Sequence, residues 1–569
     1  MTYDSLNIVV GGEAGQGLAT VGQVLAKALV KAGYSIVVTQ SYQSRIRGGY
    51  NSYALRVSTR HIEAPVETID VLAAFSLEAY RLNRGLVVSS GLIVLADERV
   101  TPLQEAAACL SIKTDKNIPY ANVFALGAVG ALLGLPEEFL EEALNAFFSD
   151  HHAEALQKNL DSLSQGIRWG SSRSDEVKRM LTPTRPRSLC MMHGNEAIAF
   201  GAMSAGLKFF SFYPMTPATS VATTLCEHSE KMDFFVEQAE DEIAAINMAI
   251  GASYAGAPSM VATSGGGFAL MTEAVSLAGM TETPIVIVVA QRPGPSTGLP
   301  TRTEQGDLEF VLHAGHGEFP RAVFAPGTVE ECFHLTRKAF DLAELSRGPV
   351  FLLTDQFLAD SYRAIEPFDF ESLPVINVCN ELAPENKAFQ TYAITESGVS
   401  PRVLPGLTTS CVRAWSSEQL VIADSDEHTE DGHLTEDLDV RNLMMEKRWR
   451  KFDLIKQQVV PPLFEGDEDP EILLICWGST RGVAKETVST KQKQGVTCAM
   501  LHFSQVWPII PTHVLGRLQK ARRVIGVEAN YTGQFCRLLK RETGFDIREQ
   551  ILRYDGLPFT LEYVLDRIR

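Results

Sequence analysis

Closely spaced cysteines are missing from this chain of 569 residues. Its nine cysteines, Cys109, Cys190, Cys226, Cys332, Cys379, Cys411, Cys476, Cys498 and Cys536, are dispersed. An iron–sulfur cluster or a structural zinc draws some ligands from close pairs, so neither is expected in this chain. An odd count in a chain long enough to build real cores also speaks against a disulfide framework, and the nine are read as buried free thiols. Long apolar runs are missing too. The longest, Val123 to Leu135, is too short to span a bilayer and is broken by three glycines. Met1 to Leu6 shows no charged-then-apolar leader pattern, and a cytoplasmic protein is expected. Positive charge is in short supply: 51 Lys and Arg stand against 69 Asp and Glu, a net charge of -18. Self-repulsion and the want of basic patches exclude nucleic acid and anionic membrane as partners, although local basic pockets for anionic substrates remain open.

What the chain does hold is an ordinary globular composition, 45% hydrophobic and 21% charged, with room for three or four domains. Strand and helix signals alternate throughout, which predicts an α/β fold with parallel sheets. Near the N-terminus an apolar run, Asn7 to Val10, enters Gly11-Gly-Glu-Ala-Gly15-Gln-Gly17. A helical pattern then extends to Lys31 and a second strand is expected over Ser35 to Thr39. Such a turn can present backbone amides and a helix N-terminus to an anion, which makes Gly12, Gly15 and Gly17 candidates for a phosphate-bearing ligand such as coenzyme A or a nucleotide. The spacing departs from G-x-G-x-x-G, so a tight turn used only for packing or a subunit contact stays open. A Ser-, Arg- and Pro-rich stretch, Ser171 to Ser188, is read as a linker.

Three features of the middle region carry chemistry. The loop Tyr213-Pro-Met-Thr-Pro217 places Thr216 between two prolines after the expected strand Phe209 to Tyr213. A rigid hydroxyl there suits carboxylate or carbonyl binding, a helix-capping turn being the alternative. An acidic cluster, Glu240-Asp-Glu242, opens a small-residue helix and would by itself match only the helix dipole. The segment Arg292 to Asp307 follows the apolar strand Pro284 to Ala290 and contains the internal Arg302, a guanidinium able to fork onto a carboxylate. The turn Thr263-Ser-Gly-Gly-Gly-Phe268, expected ahead of a helix from Ala269, lacks the Lys and Ser/Thr of a phosphate loop and reads as a site of close backbone approach. His313 and His316 read as loop residues rather than a metal site. The acidic stretch Asp424 to His433 does not fit a calcium loop; it reads as a solvated or interface loop that the basic helix Arg441 to Lys456 can pair with, in a dimer or partner interface.

Taken in order, the Tyr213 to Pro217 loop, the helix from Glu242 and the Pro295 to Asp307 segment resemble the alpha subunit of the thiamine-diphosphate-dependent 2-oxoacid:ferredoxin oxidoreductases. The loop is similar to that family's YPITP motif, with Met215 the one departure. The resemblance covers most of the chain. It implies a gamma-type domain over 1–175, a linker over 176–190, a pyrimidine-type thiamine-diphosphate-binding domain over 191–365, a connector over 366–466 and a transketolase C-terminal-like domain over 467–569. Glu242 would hold the aminopyrimidine of thiamine diphosphate, with Glu240 as the fallback. Thr216, Tyr213 and Arg302 would bind the 2-oxoacid. Arg45 and Arg47, in the basic glycine segment Gln43 to Gly49, would meet an anionic tail or coenzyme A. The diphosphate half of such a site carries Gly-Asp-Gly, which Gly306-Asp307-Leu308 and Gly466-Asp467-Glu468 do not match. A beta subunit is therefore expected to hold Mg2+, most of the cofactor and a 4Fe-4S cluster. Ferredoxin would be the acceptor, coenzyme A the co-substrate, and a dimer of alpha–beta heterodimers the assembly. The fused architecture leans toward 2-oxoglutarate, with pyruvate or branched-chain 2-oxoacids second. A non-catalytic assembly subunit binding coenzyme A or a nucleotide, and a thiamine-dependent lyase or synthase without a redox step, are the alternatives.

Overall fold

A computed structural model describes residues 2–42, 49–96, 100, 107–112, 120–148, 153–177, 180–376, 390–402 and 424–568. Arg45, Arg47, Cys379 and Cys411 lie outside the described residues. The chain forms two compact units, Met1–His193 with Asp360–Phe368 and Phe559–Arg569, and Gly194–Ala359 with Asp369–Pro558.

The first unit is built on an eight-stranded mixed sheet ordered Ala108–Ser111, Val87–Leu95, Ile69–Ala74, Ser5–Glu13, Tyr50–Ser58, Ser35–Ser41, Arg363–Ile365 and Cys190–Met192. The expected strand, glycine turn and helix appear as Ser5–Glu13 and Leu18–Lys31. The next strand, Ser35–Ser41, does not lie beside the first: Tyr50–Ser58 sits between them and pairs antiparallel with both. The unit is thus not the simple parallel crossover the sequence suggested. The apolar run from Val123 is a buried helix, Ala121–Leu132, in the hydrophobic core.

The second unit holds two sheets. The larger runs Phe235–Gln238, Phe209–Phe212, Ser259–Thr263, Ile285–Gln291, Pro349–Asp355, Ala322–Phe324 and Gln505–Trp507, parallel except for the last, antiparallel pair. Strands Ile285–Gln291 and Pro349–Asp355 are buried along their whole length, as central parallel strands covered on both faces must be. The smaller sheet runs Leu463–Gly466, Cys498–Phe503, Ile472–Trp477, Arg523–Glu528 and Glu549–Leu552. One hydrophobic cluster, with Phe268, Val323, Trp477 and Phe535 among its members, joins the two sheets.

Two expectations need correction. The helix after Ser259–Thr263 begins at Gly265 rather than Ala269, so the glycines form its first turn. Cys226 is exposed and Cys109 and Cys190 are half-buried, so the thiols are not uniformly core; Cys332, Cys476, Cys498 and Cys536 are buried.

Candidate functional site

Ligand sites of parallel sheets gather at the carboxyl ends of the strands, and here four neighbouring strands deliver the groups that matter. Phe209–Phe212 leads into the Tyr213 to Pro217 loop, Phe235–Gln238 into Glu242, Ser259–Thr263 into the Gly265 turn and Ile285–Gln291 into Arg292. Tyr213 is exposed and Thr216 half-buried. Asn195, fully buried, fastens the loop from beneath, donating to the Pro217 carbonyl (2.7 Å) and the Ser220 hydroxyl (2.8 Å).

Glu242 is the first residue of the helix Glu242–Tyr254, whose cap is Asp241, accepting from the Ala244 N–H at 2.8 Å. Asp241 thus does the ordinary capping and leaves Glu242 free of it. The Glu242 side chain is 3% exposed and its Oε1 has no hydrogen-bond partner. An unsatisfied buried carboxylate oxygen is costly, and such a group points to something that completes it. Glu240, by contrast, is exposed. Facing Glu242 is the glycine turn: a methyl group on Gly267 would strike Thr263 Oγ1 and lie 2.5 Å from Glu242 Oε1, so only glycine leaves the hydroxyl and the carboxylate their places. Thr263 Oγ1 and Ser264 Oγ, in the same turn, are also buried without partners.

The other side of the turn meets the segment after Ile285–Gln291. A methyl group on Gly265 would lie 2.6 Å from Asp307 Oδ1. Asp307 is pushed up to about 6 by burial, against the opposing pull of Arg292. Glu304 is pushed up to about 7 by burial and by Asp307. Arg292 Nη1 donates to the Thr216 carbonyl at 2.7 Å, while its Nε has no partner. Arg302 lies elsewhere in the loop, its Cβ and Cγ against Gly556. The structure thus brings Thr216 and Arg292 into contact, and Glu242 and Asp307 to the same glycine turn. Arg292, which the sequence did not single out, thus joins Arg302 as a second candidate for a substrate carboxylate. Its place directly after the last residue of Ile285–Gln291 is the sequence signal for it.

In the first unit, Gly17 starts the helix Leu18–Lys31 in a left-handed conformation, and a methyl group there would strike Asn122. Gly12 is paired within its strand and packs on Phe75, whereas Gly15 faces open space. The Gln16 side chain accepts from the Glu13 amide at 2.7 Å, so the turn satisfies one of its own donors. Elsewhere, His313 Nε2 lies 3.3 Å from an Arg541 guanidinium nitrogen, a poor neighbour for a metal ion. Glu427 in the acidic stretch is gripped by Arg441 and Arg448 of the helix Leu438–Gln457, a pairing made inside the chain rather than across an interface.

Comparison with known proteins decides the family. The family model described as pyruvate ferredoxin/flavodoxin oxidoreductase matches residues 7–169, and that described as pyruvate flavodoxin/ferredoxin oxidoreductase, thiamine diphosphate-binding, matches residues 200–445. A 2-oxoacid:ferredoxin oxidoreductase subunit alpha from Sulfolobus sp is 30% identical, covering 97% of this chain and 95% of that protein. The chain belongs to the alpha-subunit family of the 2-oxoacid:ferredoxin oxidoreductases. The 2-oxoglutarate oxidoreductase subunit KorA of Mycobacterium tuberculosis is 27% identical over 98% of this chain and 90% of that protein. A solved 2-oxoglutarate:ferredoxin oxidoreductase from Magnetococcus marinus, with 2-oxoglutarate, coenzyme A and succinyl-CoA bound, superposes over 100% of this chain and 99% of that one, with a TM-score of 0.91 and 32% identity. Within this family the α/β architecture with a thiamine-diphosphate-binding middle region is the expected frame, and the glycine turn with its unpartnered carboxylate lies inside the matched residues.

Proposed function

We propose that this alpha subunit, with its gamma-type N-terminal region, catalyses the coenzyme A-dependent interconversion of 2-oxoglutarate and succinyl-CoA with ferredoxin as electron partner. The observation that carries the proposal is the buried, unpartnered carboxylate of Glu242 held close against Gly267. Glu242 would hold the aminopyrimidine ring of thiamine diphosphate, the cofactor that supplies the nucleophilic carbon when bound. Its burial at a helix start keeps the carboxylate fixed and dry, where a hydrogen bond to a ring nitrogen is strongest. Arg292 and Thr216, joined to each other, would orient the substrate carboxylate, and Tyr213 would line the entrance. Arg302 remains a second candidate for the far carboxylate that 2-oxoglutarate carries and pyruvate does not.

The same reading assigns Mg2+ and a 4Fe-4S cluster to a beta subunit in a dimer of alpha–beta heterodimers in the cytoplasm. Support for a partner comes from exposed apolar side chains on the two helices that begin at the site: Ile243, Met248 and Tyr254 along the Glu242 helix and Leu270 on the glycine-turn helix. Gly15, which faces open space, with Gly12 and Gly17, is our candidate for the coenzyme A phosphates, and Arg45 and Arg47, outside the described residues, remain candidates from the sequence alone. Among the described residues no helix is long and apolar enough to cross a membrane. The test is viologen reduction by the chain co-purified with its natural partner, using 2-oxoglutarate, pyruvate and 2-oxoisovalerate with and without coenzyme A. Reduction that needs coenzyme A and is fastest with 2-oxoglutarate supports the reading. No reduction with any 2-oxoacid, from a complex containing thiamine diphosphate and a reducible cluster, would sink it.

A further inference from the structure

The segment Thr303 to Asp307 is tied along its length to the smaller sheet's end of the second unit. The Thr303 N–H donates to the Gly556 carbonyl (3.1 Å). Gln305, fully buried, exchanges two bonds with Ala529, its N–H donating to the Ala529 carbonyl (2.6 Å) and its Oε1 accepting from the Ala529 N–H (2.9 Å). Gln305 Nε2 reaches the Trp477 carbonyl (2.9 Å), and the Asn530 amide donates back to the Gln305 carbonyl (3.1 Å). The last grip comes from one side chain. Gln534 Nε2 donates to the Gly306 carbonyl (2.7 Å), and Gln534 Oε1 accepts from the Glu309 N–H (3.0 Å). Gln534 therefore brackets Asp307 on both sides. It is itself fixed as the first residue of the helix Gln534–Thr543, whose opening amides, those of Phe535 and Cys536, donate to the buried carboxylate of Glu528 (both 2.8 Å).

What this bracket holds in place is a charge at the 2-oxoacid site. The Asp307 N–H donates to Gln291 Oε1 (2.9 Å), beside Arg292, while the Asp307 carboxylate lies at Gly265 with Oδ2 unpartnered. We propose that Gln534 is a positioning residue for the 2-oxoacid site, acting through Asp307 to set how strongly Arg292 attracts a substrate carboxylate. The inference rests on the oxidoreductase reading above, and it gives the C-terminal region a part in substrate binding. The charged groups acting on Asp307 are Arg292, which stabilises its ionised form, and Glu304, which it opposes in turn. A slack bracket lets Asp307 move relative to Arg292 and so alters the balance the incoming carboxylate meets.

The experiment is a double-mutant cycle in the co-purified complex, with Gln534→Ala, Asp307→Asn and both together. It reads KM for the 2-oxoacid, KM for coenzyme A and kcat. Losing two hydrogen bonds at the bracket is expected to change the 2-oxoacid KM by roughly tenfold while the coenzyme A KM stays within about twofold. In the Asp307→Asn background the same substitution should change the 2-oxoacid KM by less than about twofold, because the route is already cut. Independent, multiplicative effects, or an equal change in both KM values, overturn the proposal. Should Gln534→Ala fail to assemble, Gln534→Glu serves in the same cycle, since it keeps the acceptor for the Glu309 N–H and loses the donor to the Gly306 carbonyl. A second arm needs no turnover: the part of the pH dependence of melting that Asp307→Asn removes should also vanish in the Gln534 variant, and its persistence refutes the link. A complex that turns over no 2-oxoacid overturns the functional reading, while the melting arm still decides for or against Gln534.

Discussion

Substituting Gly267 by alanine separates the folding of the glycine turn from its chemistry. The added methyl group would strike Thr263 Oγ1 first and would stand 2.5 Å from Glu242 Oε1 and 3.0 Å from its carboxyl carbon. To restore an ordinary contact the carboxylate must withdraw by roughly 1 Å, a misplacement that can lower a rate about 100-fold. Stability moves much less. Alanine gains about 1 kcal/mol over glycine within a helix, while overpacking a close-fitted site costs about 1–3 kcal/mol. The net change is therefore at most about 2 kcal/mol of destabilisation, from the difference of those two terms. Gly266 provides the control one residue away: its methyl group would meet only the Ser296 carbonyl, at 3.6 Å, an ordinary contact. Gly266→Ala should melt at or slightly above the wild-type temperature with full activity, whereas Gly267→Ala should melt within a few degrees of wild type and lose roughly two orders of magnitude in viologen reduction. Both are measured on the complex with the partner subunit. Near wild-type turnover in Gly267→Ala, or equal losses in the two variants, would refute the assignment of Glu242 to the centre of the site.

Arg292→Ala should raise the KM of every 2-oxoacid by roughly tenfold or more, the cost of losing a charged carboxylate partner. Arg302→Ala should instead discriminate against 2-oxoglutarate relative to pyruvate, so steady-state kinetics with both acids tests the two arginines together; an unaltered KM in Arg292→Ala removes it from the site. Asp307 and Glu304 are held above their usual values of 3.8 and 4.5, at about 6 and about 7. The folded chain binds these protons more tightly than the unfolded one, so the pair's contribution to stability is complete below about pH 4 and is lost as pH rises through 6 to 7. Melting temperatures between pH 4.5 and 8 should show that decline, and Asp307→Asn should flatten it. Glu282 pairs with Lys447 at 2.6 Å and also with Lys451, all three buried. Glu282→Gln, which leaves both lysines without their counter-ion, should cost about 3–5 kcal/mol in denaturant unfolding, and a loss below 1 kcal/mol would contradict the buried-pair account.

Local pattern made much of the second unit legible. Phe209–Phe212 and Ile285–Gln291 are short apolar runs bounded by turn residues, and each is a strand close to where the pattern placed it. Glu242 entered as a candidate only through the family resemblance, because an acidic residue opening a helix by itself matches no more than the helix dipole, and its burial is visible only in the fold. What escaped was set by distant parts of the chain. Tyr50–Ser58 inserts between two strands that look adjacent in sequence, and Arg363–Ile365 joins the N-terminal sheet from far along the chain. No local signal announces either pairing. The contact of Arg292 with the Thr216 carbonyl has the same origin, since which side chain reaches that carbonyl depends on how the loop folds back. Gln305, Gln534 and Asp307 are ordinary polar residues in sequence, and their part emerges only when two segments more than 200 residues apart are seen bonded together.

Antiparallel pairing of Gln505–Trp507 with Ala322–Phe324 bears on how the protein is made. A ribosome that has released residue 360 has already delivered six of the seven strands of that sheet, yet the edge at Ala322–Phe324, three buried apolar residues, stays uncovered until some 150 further residues have emerged. Through that interval a nascent chain offers an open strand edge of the sort that invites pairing between neighbouring chains. Synthesis order thus makes the C-terminal region a late cover for the larger sheet, and truncations that stop before Gln505 should accumulate as aggregates even though every strand bearing a proposed site residue is present.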